Sequence, residues 1–194
     1  SRHGLPLRER LFAYLPRYVH KIKFLSPLLN LRDRIPGLPT LSEKLLGLSA
    51  RRKLPTWRTD HFRIPAHDPQ AESTAKEVVL LVDTFNGCFE TENADAAFSV
   101  LTAAGYHVHV PKAPDGPRPL CCGRTFISTG LLDEAKTEVR RTIASLWPFV
   151  ERGVPVIGLE PSCLLTLRDE YQALLPGEQS DGLAKNTWLL EEFL

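Results

Sequence analysis

The sequence predicts an α/β fold: a small parallel three-layer sheet, β-α-β-α-β-α, preceded by a helical basic arm. Three observations carry this. The run "EVVLLVD" at 77–83 is continuously apolar and β-branched, as in strands buried on both faces of a parallel sheet. Two more short apolar runs, "YHVHVPK" at 106–112 and "VPVIGLE" at 154–160, follow at intervals that amphipathic helices fill. Prolines at 6, 16, 27, 36, 39 and 55 break the first third of the chain into short pieces. Strand–helix alternation of this kind argues right-handed crossovers and a doubly wound sheet.

In chain order, residues 1–63 form the arm, with short helices expected over 7–15, 18–25 and 41–48. In the last of these Thr40 or Ser42 is a candidate N-cap, and Gly47 lies near the end. Residues 64–76 are polar and proline-bearing and read as a linker; residues 77–194 are the α/β domain. After the first strand, 90–105 has acids in its first turn and a terminal glycine, as an amphipathic helix should. The segment 113–129 reads as a loop, and 131–153 as a long amphipathic helix with a bend at Pro148. Pro161 suits the first turn of another helix.

The chain's 194 residues and 43% hydrophobic content suffice for one sizeable core. No run approaches ~18 uncharged apolar residues, so no membrane span is expected. The opening "SRHGLPLRER" lacks the features of a signal peptide, and with the α/β architecture this leads us to expect a reducing, cytoplasmic compartment. There is no methionine, and the sequence closes on the apolar, helix-like "TWLLEEFL". Both features lead us to expect a piece of a longer polypeptide. The net charge of +1 conceals an asymmetry: 14 Lys+Arg against 4 Asp+Glu in 1–63, and 10 against 19 in 64–194. The arm lacks the basic–aromatic interleaving of a nucleic-acid platform. Near-cancellation of the two charges points to an arm packed on the acidic domain of the same chain.

The four cysteines fall in one place. Cys88 follows the first strand, Cys121 and Cys122 follow the second, and Cys163 follows the third. All lie on the carboxyl edge of the expected sheet, where open α/β sheets carry their sites. Converging thiols serve as disulfides, as metal ligands or as redox nucleophiles. A bridge between Cys121 and Cys122 would be strained and would constrain little. A single catalytic thiol needs no three companions. Thiolates select zinc or iron–sulfur. Adjacent residues in an extended loop point apart, which is awkward for one zinc ion but suits two irons of a larger cluster. Gly123 would let the backbone approach such a body, and Arg124 would offset its charge. His107 and His109 share a face of the second strand and read as packing residues.

"LCCGRTFISTGLLDEAK" and "VIGLEPSCLLTLRDEY" resemble the cysteine-rich CCG domain. That domain occurs in heterodisulfide reductase, in the iron–sulfur subunit of glycolate oxidase and in anaerobic glycerol-3-phosphate dehydrogenase. The nearest likeness is to the C-terminal part of FAD-linked oxidases of the D-lactate dehydrogenase type. "DTFNGCFETENADAAFSVLTAAGYHV" resembles the first strand, helix and second strand of that domain, and "LRERLFAYLPRY" its helical lead-in. The family pattern is one cysteine, CCG after thirty-odd residues, then CxxC. Here 32 residues separate Cys88 from Cys121, and 40 separate Cys122 from Cys163. Residue 166, where the second cysteine of CxxC would stand, is Thr166.

The resemblance implies a ligand set of Cys88, Cys121, Cys122 and Cys163 for an iron–sulfur cluster of the 4Fe–4S kind. Zinc is the alternative. Gly123, Arg124, Glu160, Ser162 and Arg168 flank those cysteines and would tune the cluster through hydrogen bonds and charge. It further implies an electron-transfer module of a flavin-dependent 2-hydroxyacid oxidoreductase of the D-lactate or glycolate type. FAD and a second CCG half would lie elsewhere in the assembly, and a quinone or cytochrome would accept the electrons. No nucleic-acid partner is expected, and the setting would be cytoplasmic or peripheral on the inner face of the cell membrane. From another class, the rival is a scaffold domain, with zinc or no metal, that docks a partner subunit or a membrane surface. A thiol-redox enzyme would need a thiol of lowered pKa.

Overall fold

The structure is a computed structural model that describes residues 4–65, 76–116 and 118–194. Most of the expected linker, 66–75, lies outside the described residues. Among them the sheet has four strands, all parallel, in the order β2-β1-β3-β4. These are β1 Lys76–Leu81, β2 Tyr106–His109, β3 Val156–Gly158 and β4 Thr187–Leu189. The arm holds α1 Leu7–Tyr18, α2 Ser26–Leu29 and α3 Leu38–Leu46. The domain adds α4 Thr84–Cys88, α5 Thr91–Ala103, α6 Arg124–Ser128 and α7 Leu132–Val150. It closes with α8 Pro161–Arg168, α9 Glu170–Leu174, α10 Glu178–Asn186 and α11 Leu190–Phe193.

Strand periodicity builds the three layers. Val79, Leu81 and Val156 face α7, α8, α9 and α10, where Val139, Ile143, Leu146, Leu164, Leu167 and Leu183 complete one core. Val78, Leu80, Val108 and Ile157 face the other way, onto Ala97, Phe98 and Leu101 of α5. Both faces of β1 are therefore covered, which explains its unbroken apolar run. Gly158 lets α8 come down on β3, since a Cβ there would lie 2.5 Å from Leu164 Cδ1. No helix among the described residues is long and apolar enough to cross a membrane.

Several boundaries differ from expectation. The closing "TWLLEEFL" begins as strand β4, paired with β3, and only its end is helical. The loop 113–129 contains α6. α1 runs through Pro16, because burial of Ala13 and Leu15 outweighs one lost hydrogen bond, while α7 contains Pro148 within its expected span and ends at Val150. The helix expected over 18–25 is only a 3₁₀ turn, Lys23–Leu25. Gly37, rather than Thr40 or Ser42, precedes α3, and Gly47 ends it at φ +68°.

The arm packs on the domain through one ionic centre. Glu138 of α7 is wholly buried. Arg17 of α1 reaches it at 2.8 Å, and Arg118 holds both its oxygens at 2.7 Å. Arg141 lies 3.6 Å away, bonds the Pro119 carbonyl at 2.7 Å and pairs with Asp115. Arg17 also pairs with Glu134 at 2.7 Å and lies over the Phe126 ring. The Thr125 hydroxyl donates to the Ala13 carbonyl at 2.9 Å, and Tyr14 meets Phe126 edge-on. Arg58 adds a second tie, to Glu92 at 2.7 Å.

Removing the Glu138 carboxylate strands buried guanidinium charge. Glu138→Ala is expected to destabilise the chain by about 3–5 kcal/mol in urea unfolding, and Arg17→Ala, at the more exposed rim, by less. A loss below about 1 kcal/mol for Glu138→Ala would show that the centre does not hold arm to domain.

Candidate functional site: the thiols at the carboxyl edge of the sheet

Each central strand ends on an acidic helix cap. After β1, Asp83 accepts from the Phe85 and Asn86 backbone N–H groups at 2.8 and 3.1 Å, and from Asn86 Nδ2 at 2.6 Å. After β3, Glu160 accepts from the Ser162 N–H at 3.2 Å and the Ser162 hydroxyl at 2.7 Å. β1 and β3 are neighbours, but β2 lies on the far side of β1, so the chain changes direction between them. That point is the usual place for a site in an open α/β sheet. Burial pushes the Asp83 carboxyl up, against its three hydrogen bonds.

The cap on Asp83 makes the residues after β1 helical rather than a loop, and α4 carries Cys88 at its last position. There Cys88 packs with Leu15, Val19, Phe89 and Trp57, against the arm. Burial, and then the Asp83 charge, push its thiol up to about 12.

Cys121, Cys122 and Cys163 come together elsewhere on the edge. The Thr142 hydroxyl anchors the Cys121 carbonyl at 2.9 Å. Gly123, at φ +87°, turns the chain into α6, and a Cβ there would sit 3.3 Å from the Ala135 carbonyl. The turn aims the Gly123 N–H at Cys121 Sγ, 3.4 Å away, and the Arg124 N–H at Cys122 Sγ, 3.5 Å away. Cys163, in the first turn of α8, brings its Sγ to 3.1 Å from that of Cys122. All four cysteines are free and buried. Its hydrogen bond to Cys122, with burial, pushes Cys121 well up. The Cys121 bond works the other way on Cys122, but Cys163 and burial still push that thiol well up. The described residues hold no ready-made metal-ion site of three or more His, Cys, Asp or Glu. Cys122 and Cys163 share one core cluster, Cys121 is joined to it through Cys122, and Cys88 belongs to a different cluster.

The flanking residues have definite partners. Arg124 pairs with Glu170 of α9. Arg168 donates to the Thr187 carbonyl at 2.9 Å and pairs with Glu192, tying α8 to β4 and α11. His109 Nε2 lies 3.2 Å from Glu77 Oε2, and its ring meets those of His107 and Phe149.

Two residues at this edge escape a reading of the sequence. Glu138 lies on the buried stripe of α7, beside Ala135, Thr142 and Val139. Tyr171 is wholly buried in the same core as Cys122 and Cys163. Burial, then Cys122, push its phenol well up. Cys163, Leu167 and Tyr171 recur every four residues, and this helical spacing was the signal for it.

Known proteins give two kinds of relative. A subunit of the anaerobic glycerol-3-phosphate dehydrogenase of Escherichia coli (strain K12) is 28% identical over 156 residues, 77% of this chain and 37% of the relative. The same subunit of Escherichia coli O157:H7 gives the same figures. D-2-hydroxyglutarate dehydrogenase of Escherichia coli (strain K12) is 23% identical over 202 residues, 97% of this chain and 19% of the relative. The chain thus spans 37% of the length of one curated relative and 19% of the other. No family model and no solved structure matches it. The chain is similar to segments of dehydrogenase proteins.

In the metal-free chain the Cys88 thiol is protonated through the neutral range. Its folded pKa, about 12, is raised above the ordinary 9.0, so its contribution to stability is complete below pH 9.0 and is lost as pH rises toward 12. Stability in urea should therefore fall between those limits, less steeply in Cys88→Ala. Iodoacetamide at pH ~7.5 should label no cysteine of the folded chain quickly. Rapid labelling at mildly acidic pH would restore the thiol-redox alternative.

Proposed function

We propose that the chain is an iron–sulfur electron-transfer module of a flavin-dependent oxidoreductase, with Cys121, Cys122 and Cys163 as ligands and Cys88 as the fourth. One observation carries this: three buried free thiols joined through Cys122, two of them with backbone N–H donors aimed at sulfur. Such donors suit thiolate charge, and soft all-sulfur donor sets suit iron–sulfur or zinc. When bound, a cluster supplies a one-electron relay. The chain's own residues hold the thiols, aim N–H groups at them and exclude water: Leu120, Phe126, Leu164 and Leu167 are all buried here. Cys88 would have to leave its packing against the arm to join the set.

The relatives support the oxidoreductase class, and their names carry shared chemistry. Glycerol-3-phosphate and D-2-hydroxyglutarate both present a secondary hydroxyl whose oxidation releases two electrons. Among the expected 2-hydroxyacids, D-lactate fits that pattern; glycolate, with a primary hydroxyl, would give up the same two electrons. FAD would take the pair in a part of the assembly outside this chain, with a second CCG half beside it. A quinone or cytochrome would be the final acceptor, on a cytoplasmic or inner-membrane-peripheral protein. Divided this way, 1–63 is the arm, 64–76 the linker and 77–194 the cysteine-rich unit.

A second proposal, a scaffold domain that holds zinc or no metal and docks a partner subunit or a membrane surface, draws support from the burial of all four thiols in apolar surroundings.

Iron and acid-labile sulfide, measured on the chain purified without oxygen, separate the two. We expect about four of each per chain, lost in Cys121→Ser/Cys122→Ser. Loss of iron in Cys88→Ser as well would make Cys88 the fourth ligand, and retention would exclude it. Zinc alone, or no metal in either this chain or its full-length protein, would overturn the electron-transfer reading.

A further inference from the structure

We propose that the Tyr171 hydroxyl donates a hydrogen bond to the sulfur-bound group held by Cys121, Cys122 and Cys163, and so sets its reduction potential. The inference rests on the iron–sulfur reading above, and it begins from an anomaly. Buried polar atoms are almost always partnered. Among the described residues only two buried side-chain polar atoms lack a partner, His20 Nδ1 and the Tyr171 hydroxyl. Phenylalanine would fill the same space without stranding a donor. A hydroxyl kept there calls for an acceptor that the polypeptide does not supply.

The surroundings show where that acceptor would be. Tyr171 sits in one core cluster with Cys122 and Cys163. The Thr142 hydroxyl, which donates to the Cys121 carbonyl at 2.9 Å, is the phenol's polar neighbour, and its oxygen could accept from Tyr171, but it stands beyond hydrogen-bond distance. The thiol sulfurs themselves stand beyond hydrogen-bond reach of the phenol, so the acceptor would be the group they hold. Negatively charged sulfur in such a group is a strong acceptor. The position of Tyr171 is also fixed from the thiol side: Arg124, two residues after Cys122, pairs with Glu170, the residue before Tyr171. The Cys-Cys-Gly-Arg turn and the tyrosine are thus held to one another.

Hydrogen bonds to cluster sulfur favour the more negative, reduced state and raise the potential. Tyr171 is in this sense a positioning and tuning residue. The test compares the wild-type chain with Tyr171→Phe, both purified without oxygen. Iron and sulfide content should be equal, while the midpoint potential, titrated with dithionite and followed by EPR, should fall. The expected change is about tenfold in the redox equilibrium, or about 59 mV for a one-electron couple. The metal-free Tyr171→Phe chain should melt higher than wild type, since the stranded donor is gone, and the loaded chain should not. Should Tyr171→Phe fail to fold, site-specific 3-fluorotyrosine at position 171, a stronger donor of nearly the same shape, should move the potential upward. An unchanged potential at equal iron content would overturn this inference and leave the cluster standing. Absence of iron and sulfide from wild type would overturn both.

Discussion

Glu138 is the constraint on which the rest of the structure depends. A carboxylate with no exposed surface must be answered by cations, because an unpaired buried charge costs more than most single contacts contribute. Three arginines answer it, and each brings a different part of the chain. Arg17 brings the arm, Arg118 the loop that leads into Cys121, and Arg141 lies one turn along α7 from Glu138 itself. The surplus positive charge is balanced by Glu134 and Asp115. Arm, cysteine loop and central helix are therefore conditional on one another. The loop's geometry is set from below as well: the Cβ of Glu138 would lie 3.7 Å from a side chain placed on Gly123. The lopsided charge of the sequence is used locally here, as ion pairs between the basic arm and the acidic domain.

The same pairing of charges governs the thiol patch. Cations near it are already engaged, Arg124 with Glu170 and Arg168 with Glu192. Acids near it are engaged too, Asp83 and Glu160 as helix caps. What remains to act on sulfur is the backbone: the N–H groups of Gly123 and Arg124, and the first turn of α8 around Cys163. Oriented backbone dipoles stabilise a sulfur anion without needing a counter-ion of their own. A thiol set held in this way is inert while it stays protonated.

Much of this was legible in the sequence. The run at 77–83 announced a strand covered on both faces, and the long periodic segments announced α5 and α7. The gathering of cysteines on one sheet edge followed from strand order alone. What escaped was short or set by tertiary contacts. β4 is three residues long, and its Thr-Trp-Leu runs directly into an apolar helix, so its period is hidden. α6 is a five-residue helix opened by the positive φ of Gly123. The separation of Cys88 from its companions depends on the Asp83 cap. One turn of helix places that thiol beside Leu15 and Val19, residues far earlier in the chain, and no local pattern reports such a contact.

The contrast between Thr166 and Tyr171 shows how a buried polar group distinguishes a finished core from an unfinished one. Both are wholly buried close to the cysteines. Thr166 occupies the position where the resemblance would place another cysteine, and its hydroxyl donates to the Ser162 carbonyl one turn back, at 2.7 Å. It asks for nothing further, so that side of α8 is closed as an ordinary helix face. Tyr171, two turns from Cys163, faces the same core with its donor unpaired. If the thiols were only small apolar filling, both positions would be under the same pressure to be satisfied or replaced. That one is satisfied and the other is not is the difference that the proposed hydrogen bond from Tyr171 would account for.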